Sequence, residues 1–444
     1  MIKILKRIFQ IVFFTSFVLP SAIGQDLYWA QEAFGQQISN INALDVSLEG
    51  YSVLTGGEFF VAKYDTDGSL LWKVNRTQTN TRDFNRGTGI CQDKFGSIFV
   101  VGYYSEELNI QGLKIHGTNS FNGFVAKFDP KGTIQWLTKV GDLGSNYCYD
   151  VKPDQLGNCY VVATVDLPIQ IGSTNIAKPA TGLYNSLLVK IDSTGKMIWN
   201  QIGYDTNGPK IATNNKGDLY LQGQFQHWVT WGTDSIQTRG QADQYIAKVN
   251  PDGKFEWLNT IGNQHANYSA DFCVDENGHT TLYTEMVDDF YINDSLLTTK
   301  PGNNHTLISF DELGTFDWMA QFNSDTSIYS ISQVKVNPDQ TIGLFGLHTE
   351  IITMANHTNY KIHGFNKFQF DNLTGTLIDT LVFKQYPKPK NLELDGYGNI
   401  YFYGFFYNQV DISGTIISSS QKGYSSYLAK AAEGQIIEPQ ILNT

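Results

Sequence analysis

Basic side chains are scarce. The 444 residues carry 31 Lys and Arg against 43 Asp and Glu, for a net charge of −12. A nucleic-acid-binding surface needs a cationic stripe that displaces counterions from phosphates, so no nucleic-acid partner is expected. Cysteine is rare as well, limited to Cys91, Cys148, Cys159 and Cys273. None of them forms a C-x-x-C pair, which leaves a structural zinc site unsupported. The eight histidines form no metal-spaced pair on one element. No Gly-x-Ser-x-Gly elbow, phosphate loop or dinucleotide fingerprint occurs. The sequence therefore assigns no catalytic residue, no metal and no cofactor. Beyond residue 24 no apolar run approaches the ~20 residues of a membrane helix, so stable membrane insertion is not expected. A sustained 3.6-residue apolar period is missing too, which argues against helices.

Aromatics and glycine are what the chain has in quantity: 28 Phe, 24 Tyr, 8 Trp and 41 Gly. Charged residues make up only 17% and hydrophobic ones 41%, a globular composition rather than a disordered one. Residues 1–24 read as a secretory leader. Lys3, Lys6 and Arg7 precede an apolar stretch from Ile8 to Leu19, and Ala22-Ile23-Gly24 supplies small residues for cleavage before Gln25. No cysteine follows that stretch to carry a lipid. The expectation is a secreted or periplasmic protein whose charge, with three cations removed, is −15.

The strongest signal is internal repetition. Phe124-Val125-Ala126-Lys127-Phe128-Asp129, followed by Gly132 and Trp136, recurs as Phe60 to Asp65 with Gly68 and Trp72. It returns around Trp199, Trp257 and Trp318, at spacings of 58 to 64 residues. A copy between Lys367 and Asp379 lacks the tryptophan, and one at Tyr427 to Lys430 meets the end of the chain. A second element alternates with the first: Gly96-Ser97-Ile98-Phe99-Val100 matches Gly157 to Val161, Gly217 to Leu221 and Gly398 to Phe402. Short Val, Ile, Phe and Tyr runs between Asp-x-x-Gly turns read as strands, with Asp bonding the turn's N–H groups and Gly taking positive φ.

Seven units of two hairpins each predict an all-β, seven-bladed β-propeller of four-stranded blades over residues 25–435, with a tail over 436–444. Leu27-Tyr28-Trp29-Ala30 resembles a fourth strand and Tyr427 to Ala431 a third. Pairing of the N- and C-terminal strands in one blade is therefore expected to close the ring.

With these motifs the chain resembles the SBBP-type β-propeller repeats of exported bacterial proteins of the Bacteroidetes. Asp154 to Tyr160 and Asp395 to Tyr401 carry the turn-strand element. Phe60 to Asp65 and Phe124 to Asp129 carry the Phe-Val-Ala-Lys strand. Asn109 to Ile115 and Asp411 to Ile417 match the Gly-containing variable segment. The resemblance implies a propeller and export, and it implies no reaction.

Within that frame the repeated tryptophans are expected to pack between blades. Lys63, Lys127, Lys190, Lys248 and Lys430 are read as the solvated positions of half-buried strands, because a strand alternates faces. Asp65-Thr66-Asp67-Gly68 lacks the later acid of a calcium loop and reads as a turn. If the Asp154–Gly157 turn sets the register, Cys159 faces Lys152 and Cys148 lies four residues away, too far for a disulfide. Ligand-binding candidates are the non-repeating residues of one rim: Arg82, Asp83, Glu106, His227, Trp228, His265, Asp288 and Asp289. The leading expectation is a monomeric, non-enzymatic protein that binds a protein or glycan there. The alternatives are a polysaccharide hydrolase or lyase with acids from several units meeting at the central channel, which three or more carboxylates or a metal at one channel mouth would favour, and a structural envelope component.

Overall fold

The computed structural model describes residues 27–33, 41–77, 84–117, 120–142, 144–166, 168–176, 185–231, 234–265, 269–286, 288–299, 304–324, 333–348, 351–354, 359–361, 364–383, 389–412, 415–419 and 424–432. The expected leader lies outside them. The described residues form strands and turns, with no helix among them.

Strand pairing falls into four-stranded antiparallel groups in chain order. The first is Ile41–Val46, Ser52–Gly56, Phe60–Tyr64 and Leu70–Asn75; the second is Asn85–Gln92, Ile98–Tyr104, Asn122–Phe128 and Ile134–Val140. The long strand Met197–Thr213 serves two groups, ending the third after Tyr147–Pro153, Cys159–Thr164 and Asn185–Ile191 and opening the fourth before Leu219–Trp231. In the last group Asn391–Leu394 and Ile400–Tyr407 are joined by Tyr424–Ala431, which pairs with Leu27–Glu32 from the other end of the chain. Seven groups are formed in this way among the described residues. The first strand of each group touches the first strand of the next, and Asn391–Leu394 touches Ile41–Val46, so the contacts return on themselves. The fold is a β-propeller.

One contact joins neighbouring blades. The Trp72 indole donates to Pro130 O of the next blade at 3.1 Å, Trp136 to Ser193 O at 2.9 Å and Trp199 to Pro251 O at 3.0 Å. Trp29, Trp257 and Trp318 repeat the bond on Thr66, Glu312 and Asn372. Each ring lies on the glycine that closes the same turn. A Cβ at Gly132 would stand 2.7 Å from Trp72, and the Gly132 φ of +85° disfavours any other residue. The aspartate opening the turn holds its shape: Asp129 Oδ1 accepts from Lys131 N at 2.9 Å and Thr133 N at 2.8 Å. This geometry accounts for the copy without tryptophan. Its equivalent position is Asp379, and the next blade has no such turn, because its third and fourth strands come from opposite ends of the chain.

The repeated lysines are a correction to the sequence reading. Lys63, Lys127 and Lys190 are buried. A propeller sheet packs against a neighbour on both faces, so alternation along the strand gives no wet side. Each ammonium stands over an aromatic ring, and those of Lys127 and Lys190 also bond a turn. Lys127 Nζ stands 4.8 Å from the centre of the Phe99 ring and donates to Gly157 O at 3.1 Å. Lys190 stands over Tyr160 and pairs with Asp154 at 3.1 Å. Burial by itself lowers the Lys190 pKa; the bonds and charge of Tyr160 and Asp154 reverse the sign and raise it.

Short hairpins inserted between second and third strands fill the wedges where blades diverge. In Glu107–Ile110, Leu108 and Ile110 are buried with Val74 of the preceding blade. Ile169–Ile171 pairs with the outer strand Ile134–Val140 and Phe290–Ile292 with Phe255–Gly262. These additions cover outer edges that otherwise present unpaired backbone groups. The cysteines are free and buried; Pro153 rather than Lys152 faces Cys159, and Cys148 faces Ala163.

The latch is testable by stability. Trp318, which is 6% exposed, becomes a cavity over Gly375 in Trp318→Ala. The expected loss is about 3–5 kcal/mol in urea unfolding. Asp379→Trp, with no turn to seat the ring, is expected to give no gain; a stabilised Asp379→Trp protein would contradict the latch.

Candidate functional site: rim and channel

The tight turns that close each hairpin lie at one end of the ring. Links between blades and the inserted hairpins lie at the other, and there the units differ most. Of the rim candidates, Arg82 and Asp83 lie outside the described residues. Glu106 and His227 occupy equivalent positions with φ of +60° and +69°. Their carbonyls accept from Gly117 N and Thr238 N and close the bases of two hairpins. Trp228 is 46% exposed and pairs across its hairpin with Gln237.

His265, Asp288 and Asp289 come together. His265 Nε2 lies 2.9 Å from Asp288 Oδ2, and Asp289 Oδ1 accepts from Thr299 N at 2.7 Å. Asp288 and Asp289 line a cavity of about 930 Å³ with Gln237, Arg239, Tyr291 and Asp294. The Arg239 guanidinium stands 4.4 Å from the Tyr291 ring centre and bonds Asp294 at 2.8 Å. Its charge is thereby taken up within the wall.

The sequence reading passed over a second cluster on the same rim. Phe84 stacks on Tyr103 at 5.9 Å, Tyr103 meets Tyr147 edge-on at 4.8 Å, and Tyr147 stacks on Tyr149 at 6.5 Å. Phe121 touches Phe84, Tyr103 and Tyr147 at 5.5 to 5.7 Å. Five rings from four segments thus form one shelf. Phe84 is 45% and Tyr149 36% exposed. Its backbone is fixed: Phe84 N donates to Ser105 Oγ, and Ser105 N to Phe84 O, each at 2.8 Å. Each ring stands at the upper end of a strand or in the link beside it. In a chain with 60 aromatic residues that position is the only sequence signal they carry.

The channel between the inner strands encloses about 570 Å³. Asp150, Lys152, Lys210, Asp271, Lys335 and Glu393 line it, and Asp45 stands beside it, near enough to Lys152 and Glu393 to feel both charges; all lie two or four residues before the first turn of a blade. Four carboxylates stand there, the gathering of acids that would favour the enzyme reading, and three lysines are interspersed with them. Lys335 bonds Glu393 at 2.7 Å and Lys210 bonds Asp271 at 3.1 Å. Several acids also accept a backbone N–H from the next inner strand, Asp45 from Gln92 at 2.9 Å and Asp271 from Val334 at 3.2 Å. Asp45 is pushed up to about 6, mainly by burial and secondarily by Glu393, against the pull of Lys152 and Gln92. Burial opposes the Lys335 charge, and Glu393 and Asp271 overcome it and raise the pKa. Among the described residues no group of three His, Cys, Asp or Glu is arranged to hold a metal ion. No helix among them is long and apolar enough to cross a membrane.

Asp45 gives a pH prediction. Unfolded, it titrates near 3.8; folded, near 6. Between those values the unfolded chain loses a proton that the folded protein keeps, so stability falls as pH rises through the window. Asp45→Asn retains an acceptor for Gln92 N. It is expected to exceed the parent by about 1–2 kcal/mol above pH 6, after allowance for the solvent that reaches this half-buried group, and by nothing near pH 4. Chemical unfolding at both pH values measures this; an equal difference at both would refute the assignment.

No family model matches the chain. A curated relative, an uncharacterized WD repeat-containing protein of Acanthamoeba polyphaga mimivirus, is 22% identical over 240 residues, which is 45% of this chain and 17% of that protein. Among solved structures, the WD40 β-propeller domain of Doa1 is 9% identical, with 93% of this chain and 98% of that one covered and a TM-score of 0.46. A chain of a mitotic checkpoint complex is 9% identical over 96% and 99%, with a TM-score of 0.49. A protein of unknown function from Bacteroides caccae is 12% identical over 64% and 82%, with a TM-score of 0.35. The propeller assignment rests on the strand pairing and the ring of inner strands. By that geometry the chain is a β-propeller repeat protein.

Proposed function

We propose that this chain is an exported, non-enzymatic propeller of the SBBP-repeat type that binds a protein or glycan on its rim. The observation that carries the reading is the five-ring shelf. Aromatic faces left half-open at the end of a rigid scaffold are a costly use of apolar surface unless a ligand covers them. The frame supports it: rim loops vary while the latched turns at the other end repeat. The leader read in residues 1–24 supports export to the periplasm or beyond.

The four channel carboxylates favour a second reading, an enzyme acting on polysaccharide, with Asp45 as the proton-holding acid. Against it stands the pairing of those acids with lysines and backbone N–H groups, which spends their charge within the wall.

The two readings separate by mutation. Pull-downs and glycan arrays with Phe84→Ala/Tyr149→Ala are expected to show capture reduced at least tenfold, on the order of one stacked ring's contribution each. Asp45→Asn is expected to leave capture unchanged. Measured turnover of a polysaccharide that Asp45→Asn abolishes would establish the enzyme reading instead.

A further inference from the structure

The aromatic shelf has a cation at its edge. Arg86 lies directly across from Tyr103 in the strand pair, and its guanidinium carbon stands 5.9 Å from the centre of the Phe84 ring. Among the described residues Arg86 makes no ion pair and no side-chain hydrogen bond, and its Nε is buried without a partner. That is anomalous here. The chain has 43 acids to 31 bases, and the other rim arginine in a ring-lined site, Arg239, has Asp294 at 2.8 Å. Nε is closed to solvent, but the residue is only partly buried, so an arriving anion meets the terminal N–H groups of a guanidinium that no carboxylate among the described residues has taken up.

Resting on the rim-binding reading, we infer that Arg86 and the Phe84–Tyr103–Tyr147–Tyr149 shelf form a subsite for a carboxylate-bearing saccharide. The guanidinium takes the carboxylate through its fork of N–H donors, and the rings take the faces of the sugar. Three of the five rings are phenols, whose hydroxyls suit a polyhydroxylated ligand. The centroid steps of 5.9, 4.8 and 6.5 Å form a row rather than a pit for one side chain. A peptide adding as a strand needs a free sheet edge. The strand bearing Arg86 is paired with Ile98–Tyr104 on one side and bridged to Gly57 at Arg86 on the other. A saccharide needs no edge. One positive charge also sets the ligand's charge density. A chain this acidic repels polyanions, so the ligand carries isolated carboxylates among neutral hydroxyls.

The test uses the full mature chain with three probes: a galactose-based tetramer in which one residue is a galacturonate, the same tetramer with that carboxyl reduced to an alcohol, and a short peptide with a free C-terminal carboxylate. Titration calorimetry is expected to show the acidic tetramer binding roughly 10- to 100-fold tighter than the reduced one, the range of a charge-assisted bond. Arg86→Gln should erase that ratio, Arg86→Lys should keep part of it, and Phe84→Ala should weaken both tetramers. Among the described residues Arg86→Gln gives up only the contact with the Phe84 ring, and no ion pair or side-chain hydrogen bond, so it should melt close to the parent, which separates lost binding from lost fold. The inference is overturned if the acidic tetramer keeps its advantage in Arg86→Gln, or if the two tetramers bind alike. It is equally overturned if only the peptide binds through Arg86. If no probe binds while another partner is still captured through the rings, the subsite fails and the rim-binding reading stands. Loss of all ring-dependent capture ends both.

Discussion

Six of the seven blades formed by the described residues are latched onto a neighbour's turn. A four-stranded sheet of this size buries too little by itself, and here both its faces must find another sheet. The indole laid on a glycine and bonded to a carbonyl two or three residues earlier meets that need at one end of the interface. The lysine held between an aromatic ring and a turn meets it in the middle. Both contacts require the turn to keep one shape, which its Asp and Gly enforce. Turn chemistry is therefore a part of the tertiary interface as much as of the hairpin. The same dependence explains the single unit without a tryptophan: an indole there would have no turn to sit on.

What could be read in advance follows from this. Turns with Asp and Gly at fixed offsets and a tryptophan four residues after the glycine are local patterns, and they carried the fold class. Strand alternation predicts one wet face for the lysines, which holds for a sandwich and fails for a sheet packed on both sides. The register at Pro153 was off by one, because Cys159 rather than Asn158 is the first residue paired across the turn. The inserted hairpins escaped as strands because runs such as Ile169–Ile171 are three residues long and bury their apolar side chains against another blade.

The candidate sites differ in legibility for the same reason. His265, Asp288 and Asp289 stand out as polar residues where the repeat breaks, and they meet. Phe84, Tyr103, Phe121, Tyr147 and Tyr149 are spread over 66 positions among many other aromatics, and only the pairing of two adjacent blades assembles them. Titratable groups gather in the channel as well, where charge is already matched.

That contrast bears on where this fold does its work. Inner-strand positions vary from blade to blade, so the channel is not constrained by the repeat, and acids and lysines are interspersed there. Pairs such as Lys335–Glu393 and Lys210–Asp271 lower the field inside a closed ring and stabilise the wall; they leave little charge for a substrate. On the rim the order is reversed. Arg239 is neutralised and Arg86 is not, although acids outnumber bases across the chain. An unmatched guanidinium among half-open rings holds more unsatisfied interaction than seven charges that answer one another, and unsatisfied interaction is what a ligand can use.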